Sequence, residues 1–365
     1  MSDPSQQDND QTGLAILVTV LAAILVGKFT DAQLTLLGRF AKIIRRLGVH
    51  NPVLLRQLHV EAFAVVGQLQ QEIPAAVEQV VQQASSAGAA SAEHVVPKRL
   101  EAPVFKTGFT PVTGFESHAD RSIRAIQEDL ERKLNNLGMG VVRFADDVYR
   151  AVVADAAQAE IAGATPAEAQ QGAYRRLTRE GVSGFTDSRG RQWELSAYVE
   201  MATRTATQRA YNVSHLDRMQ GIGIDLFTVT DDGHPCPLCQ PWQGKILSVE
   251  PDARADATIA EATAAGLFHP NCRHTLLAFI PDVTNIPAPR PWTDDDARVY
   301  AESQQQRALE RSVRAAKREL VGAFNPEQTA QANRDLRAAQ ARMRDFISQT
   351  GRVRIRRREQ LNLGA

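Results

Sequence analysis

The three cysteines of this 365-residue chain, Cys236, Cys239 and Cys272, are grouped together, and His269 and His274 flank the last of them. Cys236-Pro-Leu-Cys239 has C-x-x-C spacing, which sets two thiolates on one tight turn, able to share a tetrahedral ion. His269-Pro-Asn-Cys272 offers a second pair of soft donors on another turn. Cys236, Cys239, His269 and Cys272 together predict a closed Cys₃His zinc site of the structural type, with His274 as a spare donor. An odd, tightly grouped set of cysteines argues against a disulfide framework and for metal in a reducing compartment.

Catalytic readings of the same residues are weaker. Zinc deaminases need H-x-E upstream of P-C-x-x-C. Here His118-Ala119-Asp120 and His215-Leu216-Asp217 lack the glutamate. A cysteine protease would need a thiolate and imidazole free for attack, whereas cysteines at ligand spacing are usually ligands. A zinc-containing nuclease could use the histidines, but no acidic metal-binding partner stands out. Trp242 and Lys245, directly after the knuckle, are candidate partner contacts; the plainer expectation is a Trp packed over the knuckle and a solvated Lys.

The surrounding sequence sets the elements. Leu226–Thr230 and Ile246–Val249 read as short strands, with a helix near 253–265. A strand-rich unit this short buries little apolar area, so metal binding would contribute to its folding. Before it, a helix is expected over 195–219, and a short hairpin over Gly184–Trp193. Thr165-Pro166 opens a helix reaching about Glu180. Separate helices are expected from Asp120 to Leu137 and over about 141–162. After the unit, Thr293 and three aspartates cap one helix and Asn325-Pro326-Glu327 caps another, giving an antiparallel hairpin.

The expected fold is mainly α with a small α+β zinc-knuckle-like unit. Its parts are an N-terminal helical region (1–83), an Ala/Ser/Gly/Pro-rich linker (84–118), a helical central domain (119–222), the Cys/His unit (223–285), and a basic helical hairpin with its tail (286–365). Residues 1–12 are polar and expected to be disordered. The apolar helix at 13–27 includes a run at 14–26 that is shorter than the roughly 20 residues of a membrane span. Asp3, Asp8 and Asp10 precede it where a secretory signal would be basic. A buried helix is therefore expected over membrane contact.

Formal net charge is zero, yet residues 298–358 hold 15 Lys/Arg against 6 Asp/Glu. Arg352, Arg354, Arg356, Arg357 and Arg358 crowd the C-terminal end, a pattern suited to a polyanion such as DNA.

The run YVEMATRTATQRAYN (198–212), the strand LFTVT, CPLCQPWQGKILS and GLFHPNCRH resemble the phage minor capsid protein 2 family, related to the MuF-like head morphogenesis proteins of tailed phages. YAESQQQRALERSVRAAKREL (300–320) and the basic hairpin add to it, so the resemblance spans about 120–365. It implies a structural virion protein, not an enzyme, that is packaged in the head near the portal after assembly in the host cytoplasm. The partners implied are the portal, other capsid proteins and phage DNA, with no small-molecule substrate. The alternative is an enzyme of head maturation or DNA processing, a zinc nuclease or cysteine protease.

Overall fold

The computed structural model describes residues 4–49, 51–100, 119–176, 184–186, 192–229, 236–281, 283–286, 291–323 and 325–361. The fold is mainly helical with a small four-stranded sheet, as the sequence predicts. Chain contacts divide it into two units: residues 1–22, 76–130 and 201–301 form the first, and residues 23–75, 131–200 and 302–365 the second.

Five long helices contribute segments to both units: α1 (Pro4–Leu47), α2 (Leu54–Leu100), α3 (Ala119–Ile161), α5 (Leu195–Gly221) and α7 (Asp294–Val321), α4 being Pro166–Arg176. Three expectations are corrected here. Residues 4–12 are helical. The stretch 84–100, expected to be linker, continues α2, while 101–118 lies outside the described residues. The reason is composition: Ala is the strongest helix former, and a run rich in it needs only a packing face; Ala84 and Ala92 supply one, both fully buried. The two helices expected between Asp120 and 162 are one, α3, running through Gly138 and Gly140. The hairpin over 184–193 is present as β1 (Gly184–Thr186) paired antiparallel with β2 (Gln192–Glu194).

In the first unit, Leu14 and Val18 of α1 pack with Tyr211 of α5. α2 lies tight against α5 in the same unit: a Cβ on Gly88 would sit 2.2 Å from the Tyr211 carbonyl oxygen. Ser85 and Ser214 hydroxyls meet at 2.8 Å beside it. α1 contains a segment from Gly13 long and apolar enough to cross a membrane by length and composition, with mean hydropathy 2.2. Within it Leu14, Val18, Leu21, Ala22, Leu25 and Val26 are buried, while Ile16 and Val20 are exposed.

The sheet of this unit has the order β5-β4-β3-β6. β3 (Leu226–Val229) is central and pairs antiparallel with β4 (Ile246–Ser248) and β6 (Leu276–Ala278), while β5 (Ala257–Thr258) is parallel to β4. All four residues of β3 are buried, so it reads as a continuous apolar strand rather than an alternating one. Thr258 and Glu261 form a reciprocal capping box that starts α6 (Ile259–Ala264). The helix expected over 253–265 is thus shortened: 253–256 form turns and β5 occupies 257–258 before it starts.

The second unit holds α7 (Asp294–Val321), apart from its first turns, and α8 (Pro326–Thr350). Arg342 of α8 reaches Ser312, and Arg352, beyond its end, reaches Gln306, earlier in α7, so the two run antiparallel. Gly322 ends α7 where Tyr174 of α4 is fully buried; a Cβ there would fall 1.7 Å from the Tyr174 ring.

Candidate metal centre

Two tight turns build the site. Cys239 N–H donates to the Cys236 carbonyl at 3.2 Å, closing the C-x-x-C turn, and a 3₁₀ helix (Gln240–Trp242) follows. Cys272 N–H donates to the His269 carbonyl at 2.8 Å, closing the second. That turn has positive φ at Phe268 (57°) and Asn271 (67°). Asn visits this region readily and Phe does not, so strain is held beside His269. α5 fixes the turn from below: the Asn271 N–H donates to Thr205 Oγ1 at 3.3 Å, and the Gln208 amide donates to the His274 carbonyl at 3.1 Å. The first turn is continuous with the sheet through Gly244 N–H, which donates to the β3 carbonyl of Val229.

All five predicted donors come together. Cys236, Cys239 and His269 form one triad and Cys239, Cys272 and His274 a second, each with ligand atoms within 4.8 Å of one another. Cys239 and Cys272 are buried and Cys236 is half-buried. Around tetrahedral zinc, two sulfurs lie about 3.8 Å apart and a sulfur and nitrogen about 3.6 Å. Here Cys239 and Cys272 sulfurs are 3.6 Å apart, and Cys272 Sγ is 3.6 Å from His274 Nδ1. Cys236 Sγ is closer to His269 Nε2, at 3.0 Å, a direct hydrogen bond. His269 Nδ1–H donates to the Pro270 carbonyl at 2.8 Å, which turns the Nε2 lone pair toward the cysteines.

The electrostatics suit a cation. The hydrogen bond from Cys239, with help from His269, draws the Cys236 thiol down to about 3. Cys239 and His274 draw Cys272 down to about 5. Cys239, hydrogen-bonded to both sulfurs and buried, is pushed far above the usual thiol range. The Cys236 sulfur also raises His269. Three thiolates cannot share this space without a compensating positive charge, which a divalent ion would supply. The donor types fit zinc, as do the Cys239–Cys272 and Cys272–His274 spacings, while Cys236 and His269 stand closer together than two zinc ligands would.

Beside the centre is a cavity of about 350 Å³, lined by Ile126, Val213, Leu216 and Phe268 and reaching His269 and Cys272, which gives an approach to the ligands. Trp242 is partly buried against the sheet core, and Lys245 Nζ lies 5.0 Å from its ring centroid, a cation–π contact. Thr230 to Pro235 lie outside the described residues.

The C-terminal arginines belong to the second unit and differ among themselves. Arg354 makes two 2.6 Å bonds to Glu359, and Arg352 donates to Gln306. The Arg358 carbonyl accepts from Arg314 at 2.7 Å. Arg356 and Arg357 are exposed.

Two groups of residues escaped the sequence reading. Gln243 and Gln208, which contact His274, lie inside the runs that carry the resemblance but were given no role there. The other is an ion cluster: Glu194 of β2 bonds Arg314 at 2.6 Å and Arg318 at 2.7 Å, all with side chains at most 10% exposed. Burial alone would raise Glu194, but the two guanidinium groups hold it down at about 2.

No curated protein and no solved structure matches the chain. A family model described as phage minor capsid protein 2 matches residues 53–348, most of the chain and well to the N-terminal side of the segment whose motifs carried the resemblance. The chain therefore belongs to the phage minor capsid protein 2 family.

Proposed function

We propose that this structural phage capsid protein carries one zinc ion on Cys236, Cys239, His269 and Cys272, and that the ion staples its small sheet. The observation that carries the reading is that two donor triads, Cys236–Cys239–His269 and Cys239–Cys272–His274, are drawn from two separate turns and share the buried Cys239 sulfur. When bound, zinc would join the two turns and neutralise the thiolates. The chain's part is to present them: α5 positions the second turn, and β3 and β4 position the first.

The role is structural rather than catalytic. Cys236 and His269 could pass for a nucleophile and its base, but the Cys239 sulfur crowds the same position. In the virion we place the protein inside the head near the portal, in contact with other capsid proteins and with DNA. Family membership supports the capsid setting, and the basic stretch 298–358 supports a polyanion partner. Metal analysis of the reduced, purified protein tests the staple: one zinc per chain is expected, lost in Cys239→Ser. Portal proximity is tested by cross-linking intact virions, where links to the major shell alone would contradict it.

A further inference from the structure

Three helices and a turn of the first unit enclose the cavity beside the metal centre, about 350 Å³ in volume. Its apolar walls are Ile126 of α3, Val213 and Leu216 of α5, Ile259 of α6, and Phe268, all half-buried rather than closed over by a core. Local bonds hold these walls in place. The Ala119 N–H, at the start of α3, donates to Asp217 of α5 at 3.3 Å, and the capping box fixes the start of α6. Phe268 keeps its φ of 57°, a conformation that bulky residues rarely adopt, and strain of this kind gathers at ligand clamps. A formed cavity, apolar with a few polar groups at its edge, is the common shape of a binding site. This one stands at the low end of the range for drug-sized ligands, so it takes one or two bulky side chains rather than a folded element.

The lining also carries one permanent charge. Arg209 of α5 is exposed and makes no ion pair among the described residues, and no acidic side chain among them lines the cavity. A purely apolar occupant would leave that guanidinium unused, whereas a carboxylate beside the apolar group would pair with it. We infer that this cavity docks a segment of another capsid protein that inserts one bulky apolar side chain and sets an Asp or Glu against Arg209. The inference deepens the capsid reading above and does not depend on zinc. The buried apolar side chain is the anchor and supplies most of the affinity. The pair with Arg209 lies at the rim, where a charge selects the partner more than it tightens the complex. A segment with Lys or Arg at that place is rejected.

Photo-cross-linking in assembled virions tests this, with p-benzoylphenylalanine in place of Ala125, which is exposed in the lining. The expected adduct, mapped by mass spectrometry, is a segment of another capsid protein with a Leu, Ile, Met, Phe or Trp near an Asp or Glu. A synthetic peptide of that segment should bind the purified full-length chain. Ala at its apolar residue should weaken binding by at least about tenfold, and the amide in place of its acid by about two- to fivefold. Arg209→Gln should abolish the second effect and keep the first, with an unchanged melting temperature. Adducts to a second copy, to another part of this chain or to DNA, a segment without an acid, or no adduct at all from incorporated chain would overturn the inference and leave the capsid reading standing. Virions that lack the chain would overturn both.

Discussion

The sheet around β3 and the α7–α8 hairpin solve the same problem with different chemistry. Both must hold short, turn-rich segments against something rigid. The sheet has strands of two to four residues. Its core includes Phe227, Leu247 and Leu276, but two of its buried apolar positions are the cysteines Cys239 and Cys272. The hairpin has two helices of 28 and 25 residues whose apolar stripes, Val313, Met343 and Phe346 among them, already bury a face. Its polar additions, Glu194 with Arg314 and Arg318, and Arg354 with Glu359, clamp the β1–β2 hairpin and the C-terminal turn onto α7. Where apolar area is small, the proposed cross-linking by soft ligands would be the effective device; where helices supply area, buried ion pairs set which segment docks.

The largest expected effect separates the two regions. Chelation of the metal, or Cys239→Ser, should unfold the sheet unit while the hairpin keeps its amide protection in hydrogen exchange. Structural zinc contributes on the order of 10–16 kcal/mol in small domains, so the loss should be complete rather than graded. Equal loss of protection in α8 would break the comparison.

Next comes the ion clamp. Glu194→Ala leaves two buried guanidinium groups without their carboxylate and should cost about 3–5 kcal/mol in urea unfolding, with metal content unchanged. The pH dependence follows from the same residue. Glu194 is held at about 2 in the fold against an ordinary value of 4.5, so its contribution is present above 4.5 and is lost as pH falls from there toward 2. Unfolding of the hairpin at pH 7 and pH 3 should show this fall, and Glu194→Gln should flatten it.

A smaller effect is expected at the contact of α2 with α5. Gly88→Ala places a methyl against the Tyr211 backbone and should destabilise the first unit by about 1–3 kcal/mol in thermal unfolding. The smallest concerns DNA. Arg356→Ala with Arg357→Ala should leave stability unchanged and lower the salt slope of DNA retention by just under about two. An unchanged slope would show that these exposed arginines serve a protein partner instead.

Local signals were legible in the sequence and long-range ones were not. Caps are local: Thr293 with Asp296, Asn325 with Gln328, and Thr165 with Glu168 all form the hydrogen bonds their residue types predict. The clustering of the five Cys and His side chains was legible for the same reason, since spacing on a turn fixes where side chains can meet. Ring orientation is not written in spacing, so spacing alone does not choose between His269 and His274. The helix over 84–100 was missed because Ser and Gly among the alanines read as linker, and only the contact with α5 gives that face something to bury against. β6 was missed because its three residues, Leu276 to Ala278, form a strand only through pairing with β3.

X-ray absorption at the zinc edge of the reduced, purified full-length protein tests the central claim most directly. The account predicts one zinc per chain, with three sulfurs at about 2.3 Å and one nitrogen at about 2.0–2.1 Å. Protein that folds and assembles without stoichiometric zinc, or a first shell of light atoms alone, would contradict it.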